Sequence, residues 1–161
     1  MENIAPRGNF CTTKAGLTAI SGQATTTYTT GALTLQYAVG GKSYAKTTIT
    51  TASAPVLDGV TGLAFPALAA NQGRVWVFGV DKDGTVSLSQ GSIEALDTAG
   101  NFWRAPQFPI LPDTSTAFGY VVAKNGSTGS AFTVGTSNWS QTGMTVAVVD
   151  VLTMPQRPQM S

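Results

Sequence analysis

The sequence contains no histidine, a single cysteine and few charges, and each shortage removes a class of function. Without histidine there is no Ser-His-Asp arrangement, and the most frequent general base is missing. With only Cys11 besides, the ordinary zinc ligand sets cannot be assembled. One cysteine also rules out an internal disulfide, and Cys11 reads as a small hydrophobe because a thiol nucleophile usually needs a neighbouring histidine to activate it. Charged residues make up 11% of the chain and the formal net charge is +1. That leaves neither a basic stripe nor a like-charged tail, so no nucleic-acid partner is expected. No apolar run reaches the length of a bilayer, so no membrane partner is expected either. The opening MENIAPRGNFCTTKAG lacks the apolar stretch of a signal peptide, and the expectation is a chain made and kept in the cytosol. No metal and no cofactor are expected.

The charge deficit is filled mainly by Thr, Ser, Ala and Gly. At 161 residues the chain suits one domain, residues 1–161, able to bury on the order of 70% of its unfolded surface. Segments that alternate or are rich in β-branched residues recur between glycine-rich turns. ALTLQYAV (32–39) and KSYAKTTIT (42–50) predict a first hairpin, while RVWVFGV (74–80) and TVSLSQG (85–91) flank DKDG and predict a second. AFGYVVAK (117–124) and SAFTVG (130–135) flank NGSTG and predict a third, followed by a long final strand MTVAVVDVL (144–152). Only GSIEALD (91–97) could form a helical turn. This pattern predicts an all-β fold, a β-sandwich or jelly roll. In the second hairpin Val75 and Val77 share one face with Gly79, and Trp76, Phe78 and Val80 share the other. Both faces are apolar, so a loop or a partner must cover the one that does not pack in the sandwich. APQFPILPD (105–113) lacks the amide donors of a central strand and should cross the domain as an extended connection.

Several stretches resemble catalytic motifs and fail on spacing. VGGKSYAK (39–46) holds the tail of a phosphate-binding loop, but Gln36 stands where its first glycine is required, and strand formers lie on both sides. Ser43 and Lys46 match the start of a serine acyl-enzyme motif, yet on a strand an offset of three puts them on opposite faces. Gly40-Gly41 is therefore read as a hairpin turn. The acidic turn DKDG, with Gly84 placed at the sixth position of a calcium loop, has Gly79 and Gln90 where carboxylates belong. Asp81 with Asp83, or Glu94 with Asp97, could be offered as a glycosidase pair, but such pairs usually face each other from distant segments, and surface carboxylates are the preferred reading. Trp76, Trp103 and Trp139 with Phe102, Phe108 and Tyr120 could line a sugar platform, although aromatics in a β-sandwich more often fill the core. Asn125 in NGS and Asn138 in NWS match the glycosylation pattern and are read as chance.

Taken in order, FPALAANQGRVWVFGVDKDGTVSLSQG, APQFPILPDTSTAFGYVVAKNGS, FTVGTSNWSQTGMTVAVVDV and the closing PQRPQ resemble small virion structural proteins of tailed bacteriophages, those that serve as capsid decoration or cement proteins. The resemblance covers about residues 63–159 and lies in landmarks rather than catalytic motifs. It implies a non-enzymatic β-sandwich or jelly roll with extended N- and C-terminal arms. Such a protein binds the outside of the head shell, bridges subunits of the major capsid protein, and resides on the virion after synthesis in the host cytoplasm. A homo-oligomer, dimer or trimer, is expected. Met1 to Phe10 and Met154 to Ser161 are the candidate arms, and Arg7, Phe10, Trp103, Arg104, Phe108, Trp139 and Arg157 are the candidate interface residues. Two other classes compete: a carbohydrate- or receptor-binding module of a phage head or tail fibre using Trp103 or Trp139, and a hydrolase built on a carboxylate pair.

Overall fold

A computed structural model describes residues 8–158 except 21 and 32. It is all-β: no helix occurs among the described residues, and ten strands form three antiparallel sheets. The strands are β1 (Phe10–Cys11), β2 (Thr18–Ile20), β3 (Thr27–Thr29), β4 (Leu35–Val39), β5 (Lys42–Lys46), β6 (Ala52–Ser53), β7 (Gln72–Asp81), β8 (Val86–Ala95), β9 (Ser115–Asn125) and β10 (Met144–Asp150). The long strands make a four-stranded sheet in the order β10-β9-β7-β8, and the short ones make two three-stranded sheets, β1-β4-β5 and β2-β3-β6.

The first two hairpins form as expected. Gly40 and Gly41 both adopt positive φ, 58° and 77°, the pairing that a two-residue turn between twisted strands requires. Val39 then faces Lys42, and β5 carries Lys42 and Lys46 along the edge of its sheet, where lysines discourage further strand pairing. Lys46 Nζ donates to Gly84 O at 2.7 Å and Tyr37 Oη to Asp81 O at 2.8 Å, tying this sheet to the DKDG turn of the second hairpin.

Three expectations are corrected. The third hairpin does not form, because β10 pairs along its whole length with β9, from Met144 opposite Asn125 to Asp150 opposite Gly119. Residues 130–135 instead leave the sheet, and Phe132 bridges to Leu68 and packs into the core. The stretch 91–97 is not a helical turn: β8 continues through it to Ala95, bonded to β7 across a bulge at Gly91 and Ser92. Finally, KSYAKTTIT forms a strand only in its first half: β5 ends at Lys46 and residues 47–51 form no strand.

Both faces of the four-stranded sheet are apolar, as the alternation in β7 predicts. Trp76, Phe78 and Val80 pack with Leu88, Phe118 and Val121 against Cys11, Tyr28, Leu35 and Tyr37 of the smaller sheets. A bulge in β9, where Gly79 faces Ala117 and Phe78 faces Gly119, reverses its alternation. Ala117, Tyr120 and Val122 therefore join Val75 and Val77 on the opposite face. A side chain at Gly119 would lie 2.7 Å from Leu17, so glycine is required where the bulge meets its neighbour. The second face is covered by a loop of the chain itself: Phe108 and Leu111 of the Pro-rich connection, with Val151 and Met154 after β10, close it. Phe108 stands edge-on to Tyr120 at 5.0 Å.

Of the two candidate arms, residues 1–7 and 159–161 lie outside the described residues. The described parts rest on the body. Asn9 Nδ2 donates to Asp113 O and Ser115 O, Cys11 N to Leu152 O, and Gly41 N to Gly8 O. Met154 packs against the second core cluster and Pro158 is buried.

Candidate functional site

Two surfaces gather the residues singled out by the sequence. The first is a groove of about 120 Å³ between the Pro-rich connection and the segment after β10. Phe108 to Leu111 form one wall, Leu152 to Gln156 the other, Ser115 to Ala117 the floor, and Asn9 with Asp113 one end. Proline explains the first wall: Pro109 and Pro112 supply no amide hydrogens, so the connection lies across the sheet as a strap rather than joining it. Its anchors are two bonds with β8, from Ser92 N to Gln107 O at 3.3 Å and from Gln107 N to Ser92 Oγ at 3.1 Å. Cys11 N donates to Leu152 O at 2.8 Å, which brings the two ends of the described chain together beside this groove. Phe10, Ile110 and Leu152 are exposed.

The second surface is the turn 97–101. Asp97 Oδ1 accepts from Ala99 N at 2.9 Å and Asn101 N at 2.8 Å, and these backbone bonds, with Asn101 first, hold its carboxyl below the ordinary aspartate range. Phe102 bridges to Leu96 and lies on Gly73, where a Cβ would come within 2.4 Å of its ring. Lys124 Nζ stands 5.3 Å from the centre of that ring. Trp103 N donates to Ala95 O, so the backbone of Trp103 is fixed while its side chain is 77% exposed. Arg104 beside it is exposed as well.

The candidate interface residues thus separate. Phe108 lines the groove, Phe10 is next to Asn9 at its end, and exposed Arg157 follows the wall residue Gln156. Trp103 and Arg104 belong to the turn, and Arg7 lies outside the described residues. Trp139 is corrected. It is only 3% exposed, stacks near Phe132 and Trp76, and donates from Nε1 to Thr27 O at 3.0 Å, so its indole is a core group with no surface to offer. The sequence reading missed Asn9, Asp113, Ile110 and Leu152. The only signal toward them was the proline spacing that marks the strap.

The carboxylates offered as pairs have local structural partners. Asp81 Oδ1 accepts from Asp83 N and Thr85 N and shapes the second hairpin, Asp83 pairs with Lys82 in solvent, and Glu94 accepts from Ser92 Oγ. Among the described residues no group of three or more His, Cys, Asp or Glu side chains could hold a metal ion, and no helix is long and apolar enough to cross a membrane. Cys11 is buried, donates to Ala117 O, and has its thiol pushed up to about 12 by desolvation. Arg74, 5% exposed, bonds Gln90 Oε1 and lies 5.8 Å from the Trp76 ring centre. Burial lowers its guanidinium to about 10, while Asp58 acts in the opposite direction. Asp58, itself buried, accepts from Thr61 Oγ1 and Val60 N and so organises the loop along β8. That loop exposes Val56, Leu57, Val60 and Leu63.

Comparison of the chain with protein-family models, with curated proteins and with solved structures gives no match.

Proposed function

We propose that this chain is a non-enzymatic structural protein of a tailed-phage virion that binds the outer surface of the capsid and stabilises it by bridging subunits of the major capsid protein. Its body is then a β-sandwich-like support, made of the four-stranded sheet and the smaller sheets on one of its faces, with the chain ends as the attachment arms. The observation that carries the reading is the meeting of both ends of the described chain at one apolar groove, tied by Cys11 to Leu152 and rimmed by exposed Ile110 and Leu152, with exposed Phe10 next in sequence to the lining residue Asn9. Apolar groups clustered on a surface and framed by polar residues suit a protein partner. The sequence landmarks in residues 63–159 support the same reading, and a self-associating dimer or trimer on the capsid surface fits it. A protein that prefers the assembled shell stabilises it by RT ln(1 + [L]/Kd), about 2.7 kcal/mol per site at a hundredfold excess over Kd. Capsids heated with and without the protein should rupture at different temperatures, and Phe10→Asp or Leu152→Asp should reduce the gain. Particles that take up no protein, or rupture at an unchanged temperature, would overturn the proposal.

The 77% exposure of Trp103 favours a second reading, a carbohydrate-binding surface on a phage head or tail fibre. Trp76 and Trp139 are buried, so fluorescence quenched by a sugar would report on Trp103. Quenching that survives in Trp103→Phe would reject it.

A further inference from the structure

The four-stranded sheet ends in two outer strands, β8 and β10, and only the first is guarded. Along β8, Gly59 N donates to Leu88 O at 2.8 Å and Ser92 N to Gln107 O at 3.3 Å, so two loops of the chain close that edge. Along β10, Val151 N donates to Phe118 O and Gly126 N to Gly143 O, which fixes the ladder: the odd-numbered residues bond β9, and the main-chain groups of Val146, Val148 and Asp150 point away from it. None of these outward groups is bonded among the described residues. MTVAVV, residues 144–149, contains no charge, proline or glycine, and its pairing with β9 runs without a bulge, so the devices that blunt a strand edge are missing. The lysines that guard β5 have no counterpart here.

The same flank leaves core side chains half-covered. Met144, Val146 and Val148 pack against the first core cluster and Ala147 and Val149 against the second, all of them only partly buried. An outer strand of its own sheet, β2, lies against β10, with Leu17 N donating to Asp150 Oδ1 at 2.8 Å and Gly22 N to Ser140 Oγ at 2.9 Å. The flank is therefore two layers deep, about 20 Å, and the seven residues of β10 make it about 24 Å long. Two such flanks face to face cover about 1,000 Å², which meets the lower limit for a specific contact. An unpaired edge selects an extended strand, and β10 matches itself. An antiparallel copy centred on Ala147 sets Val146 opposite the copy's Val148 and Met144 opposite its Asp150, so the whole strand is paired and no like charges meet. The residue on the axis, where a non-hydrogen-bonded pair comes closest, is the small Ala147. We propose that β10 is the docking edge for β10 of a second copy, paired antiparallel about a two-fold axis at Ala147 so that the two four-stranded sheets run on as one. This pairing gives the self-association suggested above a defined surface, and it stands whether or not the protein binds a capsid.

Sedimentation equilibrium and amide exchange of the full chain, run from micromolar to millimolar concentration, test it. The mass should rise from monomer to dimer. Where about nine-tenths of the chains are paired, the Val146 and Val148 amides should exchange about tenfold more slowly, while the amide of Gly84, in the DKDG turn, keeps its rate. Ala147→Cys should form an intermolecular disulfide under mild oxidation, because the two copies of this residue meet on the axis. Thr145→Cys, more exposed but about 14 Å from its counterpart, should not, and Cys11 is buried and takes no part. A monomer at every concentration would overturn the proposal and leave the edge to a strand of a different protein. A dimer whose Val146 and Val148 amides keep the monomer's rate would overturn it too, as would equal crosslinking of the two cysteine variants. The exchange experiment needs no variant, so a cysteine variant that misfolds does not blunt the test.

Discussion

Trp76 and Trp139 touch each other in the core, 6.1 Å between ring centres, yet replacing each by phenylalanine should have very different costs. Trp76 is 1% exposed, and its Nε1 finds no hydrogen-bond partner among the described residues. Trp139 is 3% exposed and donates from Nε1 to Thr27 O at 3.0 Å. The change to phenylalanine removes two ring carbons and the N–H group in both cases. At about 0.8 kcal/mol per buried carbon the lost burial is ~1.6 kcal/mol. For Trp76 the same change deletes a buried, unpaired donor whose desolvation costs about 1–3 kcal/mol, so the two effects largely cancel and the net change is near zero. For Trp139 a net hydrogen bond of about 1 kcal/mol is lost in addition, for a total of ~2.5 kcal/mol. Denaturation in urea with unchanged slope should therefore place Trp76→Phe close to the wild type and Trp139→Phe well below it. In heat the gap corresponds to about 5–10 °C for a chain of this size. Alanine at either position should cost about 3–5 kcal/mol, because both then leave a cavity. Equal losses for the two phenylalanine variants would refute the assignment of the hydrogen bonds, and an unchanged midpoint for Trp76→Ala would refute its burial.

Further outcomes can be checked on the isolated protein. Cys11 has its thiol raised from about 9 to about 12, so the folded chain keeps its proton where the unfolded chain loses it; stability is full below pH 9 and falls toward pH 12, by up to about 1.4 kcal/mol per unit. Cys11→Ala should flatten that alkaline decline in denaturation curves, and a decline identical to the wild type would count against the buried thiol. Gly73→Ala places a methyl 2.4 Å from the Phe102 ring and should cost about 1–3 kcal/mol while shifting Trp103 emission, since the two aromatics are adjacent. Trp103→Ala should leave the midpoint within about 0.5 kcal/mol, as its side chain is exposed; a larger loss would show that the turn depends on it. The Asp97 carboxylate, held low by backbone amides, supports the 97–101 turn above the ordinary aspartate range and releases it as pH falls through its lowered value, an opening that amide exchange of Ala99 and Asn101 would report.

The sequence by itself determined what depends on neighbours along the chain. The paired glycines at 40 and 41 demand positive φ, and the first hairpin follows from them alone. The double apolar alternation of 75–80 required two covered faces, and the prolines of 105–113 excluded that stretch from a sheet. Spacing alone was enough to reject the phosphate-binding and calcium loops. Tertiary structure decided what depends on which distant segments meet. SAFTVG has the alternation of a strand, but β10 takes the edge of β9, and Phe132 gains more as a core residue beside Trp76 and Trp139. GSIEA has no strand period of its own, because the bulge opposite Val75 interrupts its alternation, and only bonding to β7 makes it extended. A similar bulge at Phe118 decides which β9 residues face which core. The groove is assembled from Asn9, the strap, the start of β9 and the segment after β10, four pieces spread from residue 9 to residue 156. Local propensity carries no information about such a meeting, since its energy comes from surface that only the folded chain can bury.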